Sequence, residues 1–95
     1  MFIYKDTLEY EFRKLNIPFQ REKEYNIKYK DIVLAHKFYA DFIVYDEIIL
    51  EIKASKDIID EHIAQTINYL KLADSDLGII VNFNKKSLEH KRVIH

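Results

Sequence analysis

The chain contains no cysteine, which excludes disulfides and thiolate zinc sites, and nothing in it suggests secretion. It has no long apolar run either. Nothing approaches the length of a membrane span, and the opening residues Met1 to Asp6 show no apolar run behind a basic segment, so no secretory leader is expected. The expectation is a soluble cytoplasmic protein with no membrane partner. Charge of one sign is not in excess: 15 Lys and Arg face 16 Asp and Glu, a net charge of -1. A tight, sequence-independent nucleic-acid clamp normally carries a basic surplus, so that class is disfavoured; brief contact through a metal ion stays open. Internal repeats, low-complexity tracts and linkers are also missing. The 95 residues therefore read as one domain over 1–95. What is present is a hydrophobic share of 48% and an aromatic share of 14%, ample for a core and unlike a disordered chain. The core of so short a chain is modest, and pairing with a second copy is a common way to enlarge it.

Hydrophobic periodicity orders the chain. Tyr4, Leu8, Phe12 and Leu15 fall on one face at helical spacing, predicting an amphipathic helix over 2–16 that stops at Asn16, with Pro18 preventing continuation. Tyr25, Ile27 and Tyr29 alternate with Asn26 and Lys28, a strand with one wet face, and Lys30-Asp31 reads as a turn. Ile32 to Leu34 begins a further strand, and His36 and Lys37 interrupt it before the apolar run resumes at Phe38. Strands are expected at about 38–45 and 48–54, then a helix over 59–73 capped by Asp57 or Asp60. Leu77 to Phe83, with the only glycine, Gly78, reads as a buried central strand. Asn84 to Ser87 reads as a turn, and Leu88 to His95 as an edge strand. Helix, strands, helix, strands make an α/β or α+β fold on a mixed sheet, with the second helix as a crossover between parallel strands.

The chemistry lies between Phe38 and Ala54. Three charges, Asp41, Glu51 and Lys53, are set into apolar strands, where a charge is costly unless paired or bound. Glu51 and Lys53 are two apart and share a side of the strand. Two acids and an ammonium on one face suit a divalent cation and a phosphodiester. Magnesium takes one or two protein carboxylates, which Asp41 and Glu51 supply, with the Ile52 carbonyl as a further ligand. Lys53 would orient or help deprotonate the attacking water, or offset charge on the phosphate. This reading makes a geometric demand. A tight turn on Asp46-Glu47 would turn Asp41 away from Glu51, whereas a three-residue connection or a bulge brings the two opposite. The plainer alternative is a surface hairpin with ordinary alternating charges. Asp41, inside Tyr-Ala-Asp-Phe-Ile-Val, argues against it.

Asp41, a gap, then Glu51-Ile52-Lys53 resembles the core motif of the PD-(D/E)xK nuclease superfamily. The stretches Ile17-Pro18-Phe19-Gln20-Arg21-Glu22, Tyr39-Ala40-Asp41-Phe42-Ile43-Val44, Leu50-Glu51-Ile52-Lys53-Ala54, Ala64-Gln65-Thr66-Ile67-Asn68-Tyr69-Leu70 and Gly78-Ile79-Ile80-Val81-Asn82-Phe83 together resemble its small bacterial GxxExxY branch. The resemblance covers nearly the whole chain. It implies a restriction-endonuclease-like fold, a mixed four-stranded core sheet flanked by helices. It also implies cleavage of nucleic acid, DNA in particular, with Mg2+ or Mn2+. Gln65 and Tyr69 match the QxxxY element of some branches and share a helix face at i and i+4. For Gln65 the alternative is a cap on a buried polar contact; for Tyr69 it is core packing. The chain departs from the GxxExxY element itself: with Tyr4 as its tyrosine, the glutamate position falls on Met1 and the glycine position before the chain. Glu9 and Glu11 do not occupy the matching helical position, so no first-helix acid is carried over. Fewer carboxylates hold magnesium more weakly.

The remaining polar residues carry less. His36, His62, His90 and His95 are scattered without zinc spacing. Lys85, Lys86, Lys91 and Arg92 form the only basic concentration, either a phosphate contact or a solvated turn and edge. Tyr25, Tyr29 and Tyr39 either stack on bases or pack in the sheet. Three functions follow: a metal-dependent nuclease acting on DNA, a module that keeps the nuclease fold for nucleic-acid or protein binding, and an interaction domain with no nucleic-acid role. The exposed edge strand makes a homodimer an expected assembly.

Overall fold

In the computed structural model, which describes residues 2–84 and 87–95, the order is α1 (Phe2–Lys14), β1 (Phe19–Tyr29), β2 (Ile32–Val44), β3 (Ile48–Lys53), α2 (Asp60–Ala73), β4 (Leu77–Phe83) and β5 (Leu88–Ile94). The strands form one five-stranded sheet in the order β1-β2-β3-β4-β5. Only β3 and β4 run parallel, joined by α2 as the crossover that the sequence predicts. The sheet thus has one strand more than the four-stranded core implied by the resemblance.

The helices take opposite faces. Leu8 and Phe12 of α1 pack against Phe42, Leu50 and Ile52, and Phe12 meets the Phe42 ring edge-on at 5.4 Å. Ile63, Ile67 and Leu70 of α2 pack against Ala40, Ile43, Ile49 and Ile80. Leu15 does not join the α1 stripe. Asn16 turns left-handed (φ 57) and ends the helix, leaving Leu15 at 63% exposure. Gly78 lets α2 approach β4. A Cβ there would lie 3.0 Å from Thr66 Cγ2 and 3.2 Å from Leu70 Cδ2.

Two local expectations are corrected. β2 runs unbroken through His36 and Lys37, because β1 supplies ladder partners there (Asn26↔Lys37) and the side chains, outside the sandwich, are exposed. The α2 cap is Ile59, not Asp57 or Asp60. The Ile59 N–H donates to His62 Nδ1 at 3.3 Å, while Asp60 and Glu61 place negative charge at the helix start. Of the 84–87 turn, Lys85 and Lys86 lie outside the described residues. The Ser87 N–H donates to Asn84 Oδ1 at 2.8 Å. Among the described residues, no helix is long and apolar enough to cross a membrane.

Candidate active site

The sheet forks, and the charged residues sit at the fork. β2 and β3 pair only at Phe42↔Leu50, Ile43↔Ile49 and Val44↔Ile48. Beyond Phe42, β2 stays with β1 and β3 stays with β4 as far as Lys53↔Asn82. The β2–β3 connection is Tyr45, Asp46 and Glu47, with Tyr45 and Asp46 left-handed (φ 55 and 58). With this three-residue connection, Asp41 and Glu51 come just past the last pair of the ladder, Phe42↔Leu50.

The strands also change hand at this level. Phe38 and Ala40 face the α2 layer, but Phe42 and Val44 face the α1 layer, so the alternation of β2 switches at Asp41. In β1 it switches at Glu22, which is left-handed (φ 55), between Phe19 on the α1 side and Tyr25 on the α2 side. Such irregularities re-aim side chains. Here they let Asp41 reach both layers.

Asp41 Oδ2 accepts the Ile52 N–H at 2.7 Å, replacing the strand partner that Ile52 loses at the fork. Its Oδ1 lies 2.7 Å from Lys5 Nζ, which also contacts Glu22 Oε1 at 2.8 Å. Because the N–H and C=O of one strand residue leave by the same edge, the Ile52 carbonyl also looks into the fork. Glu51 is 5% exposed, and its Oε1 has no hydrogen-bond partner. Lys53 follows on the same side, its Nζ 3.5 Å from Gln65 Oε1. The Tyr69 ring lies stacked on Phe38 with centroids 3.7 Å apart.

The electrostatics follow from this crowding. Burial, then the neighbouring Asp41 carboxylate, pushes the Glu51 carboxyl up to about 9, against the opposing pull of Lys53 and Lys5. For Lys5, burial works against the charged form, but hydrogen bonds to Asp41 and Glu22 outweigh it and hold the ammonium above the ordinary lysine value. Burial raises the Tyr69 phenol, helped by Glu51 and Asp41, while Gln65 pulls it down.

A buried carboxylate oxygen without a donor is expensive, and a divalent cation would satisfy it. Among the described residues, no group of three or more His, Cys, Asp or Glu side chains forms a metal cluster. The Asp41–Glu51 pair nevertheless supplies the one or two carboxylates that magnesium uses. The donor set fits the ion.

The structure thus brings Asp41, Glu51, Ile52, Lys53 and Gln65 to one place, with Tyr69 beside them. Tyr69 is both core and neighbour of the acids. Three residues of the surroundings are not singled out by the sequence reading. Lys5 is in register with the α1 stripe, three before Leu8 and seven before Phe12, which is the signal that puts it against the sheet. Glu22, exposed overall, is brought to Lys5 by its left-handed backbone. Asn82, fully buried, accepts the Ser55 N–H at 2.9 Å and donates to the Ser55 carbonyl at 2.9 Å, fixing the chain just after Lys53. The histidines gather nowhere. Tyr25 packs on Phe38 at 5.7 Å, and the Tyr39 hydroxyl donates to Glu24 at 3.1 Å.

A carboxylate pair and a lysine thus gather at the fork of a mixed sheet, and comparison with known proteins places the fold in a family. The family model of the PD-(D/E)XK nuclease superfamily matches residues 2–93, and the chain belongs to that superfamily. Among solved structures it is similar to the crystal structure of SSO0001, at a TM-score of 0.78 and 25% identity over 98% of this chain. The chain spans 48% of that protein. No curated protein matches it.

Proposed function

We infer that the protein hydrolyses phosphodiester bonds of nucleic acid, DNA in particular, with Mg2+ or Mn2+. The observation that carries this reading is the buried, partnerless Glu51 Oε1 beside Asp41, at the level where the β2–β3 ladder ends. Asp41 and Glu51, with the Ile52 carbonyl, would hold the ion. Once held, a divalent cation lowers the pKa of a bound water and offsets phosphate charge. The chain does the rest. The Ile52 N–H keeps the Asp41 carboxylate turned into the fork, Lys53 orients the attacking water or meets the charge developing on the phosphate, and Gln65 steadies the Lys53 ammonium. The narrower likeness to the GxxExxY branch belongs to this proposal and rests on the five sequence stretches. So does a homodimer, supported by the modest length and by β1 and β5, which lie at the edges of the sheet; sedimentation at micromolar concentration is expected to give twice the 11.5 kDa chain mass.

The test is cleavage of single- and double-stranded DNA in Mg2+ and in Mn2+, with Lys53→Ala beside the wild type. The wild type is expected to cut only with metal, and the variant to lose about 10²- to 10⁴-fold in rate while binding DNA as before. Equal rates for the two proteins would remove Lys53 from the chemistry. Metal binding without any cutting would leave a nuclease fold used for binding.

A further inference from the structure

Lys5 is the group that the nuclease reading leaves unused. It is buried at 8% exposure, and lysine is almost never buried unless paired. Its ammonium lies 2.7 Å from Asp41 Oδ1 and 2.8 Å from Glu22 Oε1. It bridges two carboxylates, the kind of neighbours that a second cation would need in a two-metal site. We propose that Lys5 is a built-in second cation, which limits the site to one divalent ion and holds Asp41 in place before that ion arrives.

The charge balance supports this. With Glu51 ionised beside a bound metal, Asp41, Glu51 and Glu22 would bring three negative charges to the fork, and Lys5 offsets one. The remaining two equal the charge of one divalent ion, leaving Lys53, on the α2 side against Gln65, for the substrate. The geometry agrees. Lys5 engages Asp41 through Oδ1, and the Ile52 N–H engages Oδ2, so Asp41 is fixed at both oxygens and each keeps lone-pair capacity for one more partner. The left-handed Glu22, whose side chain stays 43% exposed, sets its carboxylate against the ammonium from the solvent side. Helix α1 thus contributes a cation to the site, where an acid from the same helix would add a ligand.

The proposal rests on the metal reading of Asp41 and Glu51, and the experiment separates the two. Mn2+ is titrated into the whole protein, with bound ions counted by calorimetry and by the electron paramagnetic resonance signal of the free ion. Wild type, Glu51→Gln, Lys5→Gln and Lys5→Glu are compared. The wild type is expected to bind one ion, lost in Glu51→Gln. Lys5→Gln is expected to bind it about tenfold more tightly, since a neighbouring positive charge is gone. Lys5→Glu is expected to bind two ions. Two ions on the wild type, both lost in Glu51→Gln, would overturn the role of Lys5 and keep the metal site. Variants that melt earlier but keep the wild-type count and affinity would make Lys5 a merely structural ion pair and also overturn it. No ion on the wild type would overturn the metal reading and the Lys5 proposal together.

Discussion

Glu51 is held in the fork at a cost that metal or a proton must relieve. With its carboxyl pushed up to about 9 by burial and by Asp41, the folded protein keeps a proton that the unfolded chain has already released. The folded state therefore binds more protons between the ordinary glutamate value and about 9, and stability falls as pH rises through that window. By pH 7 the loss is about 3 kcal/mol. The metal-free wild type is expected to melt at a lower temperature at pH 8 than at pH 5. Glu51→Gln should be flat over the same range, and Mg2+ at pH 8 should raise the wild type but not the variant. An unchanged pH slope in Glu51→Gln would assign the effect to another group. At this scale the sequence was legible in the out-of-place acids: Asp41 and Glu51 stand out because apolar strands do not carry charge without reason. Lys5 and Glu22 do not stand out, because a lysine in a first helix and a glutamate in a charged strand are ordinary until the fold brings them together.

The elements position the site through two close fits. Gly78 permits the α2–β4 contact, with a Cβ landing 3.0 Å from Thr66. Gly78→Ala is expected to cost about 1–2 kcal/mol by crowding, and Gly78→Val more, read as the midpoint of urea unfolding. Asn82 ties the exit of β3 to β4 through both backbone groups of Ser55. Asn82→Ala leaves those groups unpaired, for about 2–3 kcal/mol, and loosens the segment after Lys53. Its cleavage rate is expected to fall even where the protein remains folded; a full rate would show that the Ser55 tether does not position Lys53. Elements with a strong internal pattern were readable: β4 as a continuous apolar run, α2 as a periodic stripe. β2 was not, because His36 and Lys37 are polar in a part of the strand that faces no core, and its continuity comes from pairing with β1. The α2 cap was missed because a histidine three residues on satisfies the Ile59 N–H where a capping acid was expected.

The whole molecule turns on topology. Two sub-sheets, β1–β2 and β3–β4–β5, diverge from one short ladder, with α1 on one side and α2 on the other. Both layers reach the vertex, α1 with Lys5 and α2 with Gln65 and Tyr69. Hairpin length fixes the vertex, and that much was open to reasoning from sequence. The contribution of α1 was not, since it depends on which face of the sheet the first helix covers. The likeness to SSO0001 extends over 98% of this chain and 48% of that one; what it shares is the fold, and the site must stand on its own residues. The measurement that tests the central claim most directly is cleavage of DNA by the wild type with Mg2+ and with excess chelator, beside Asp41→Asn. Cutting that needs the metal and vanishes in the variant is the expected result. Cutting that survives the chelator, or no cutting in any divalent metal, would contradict the account.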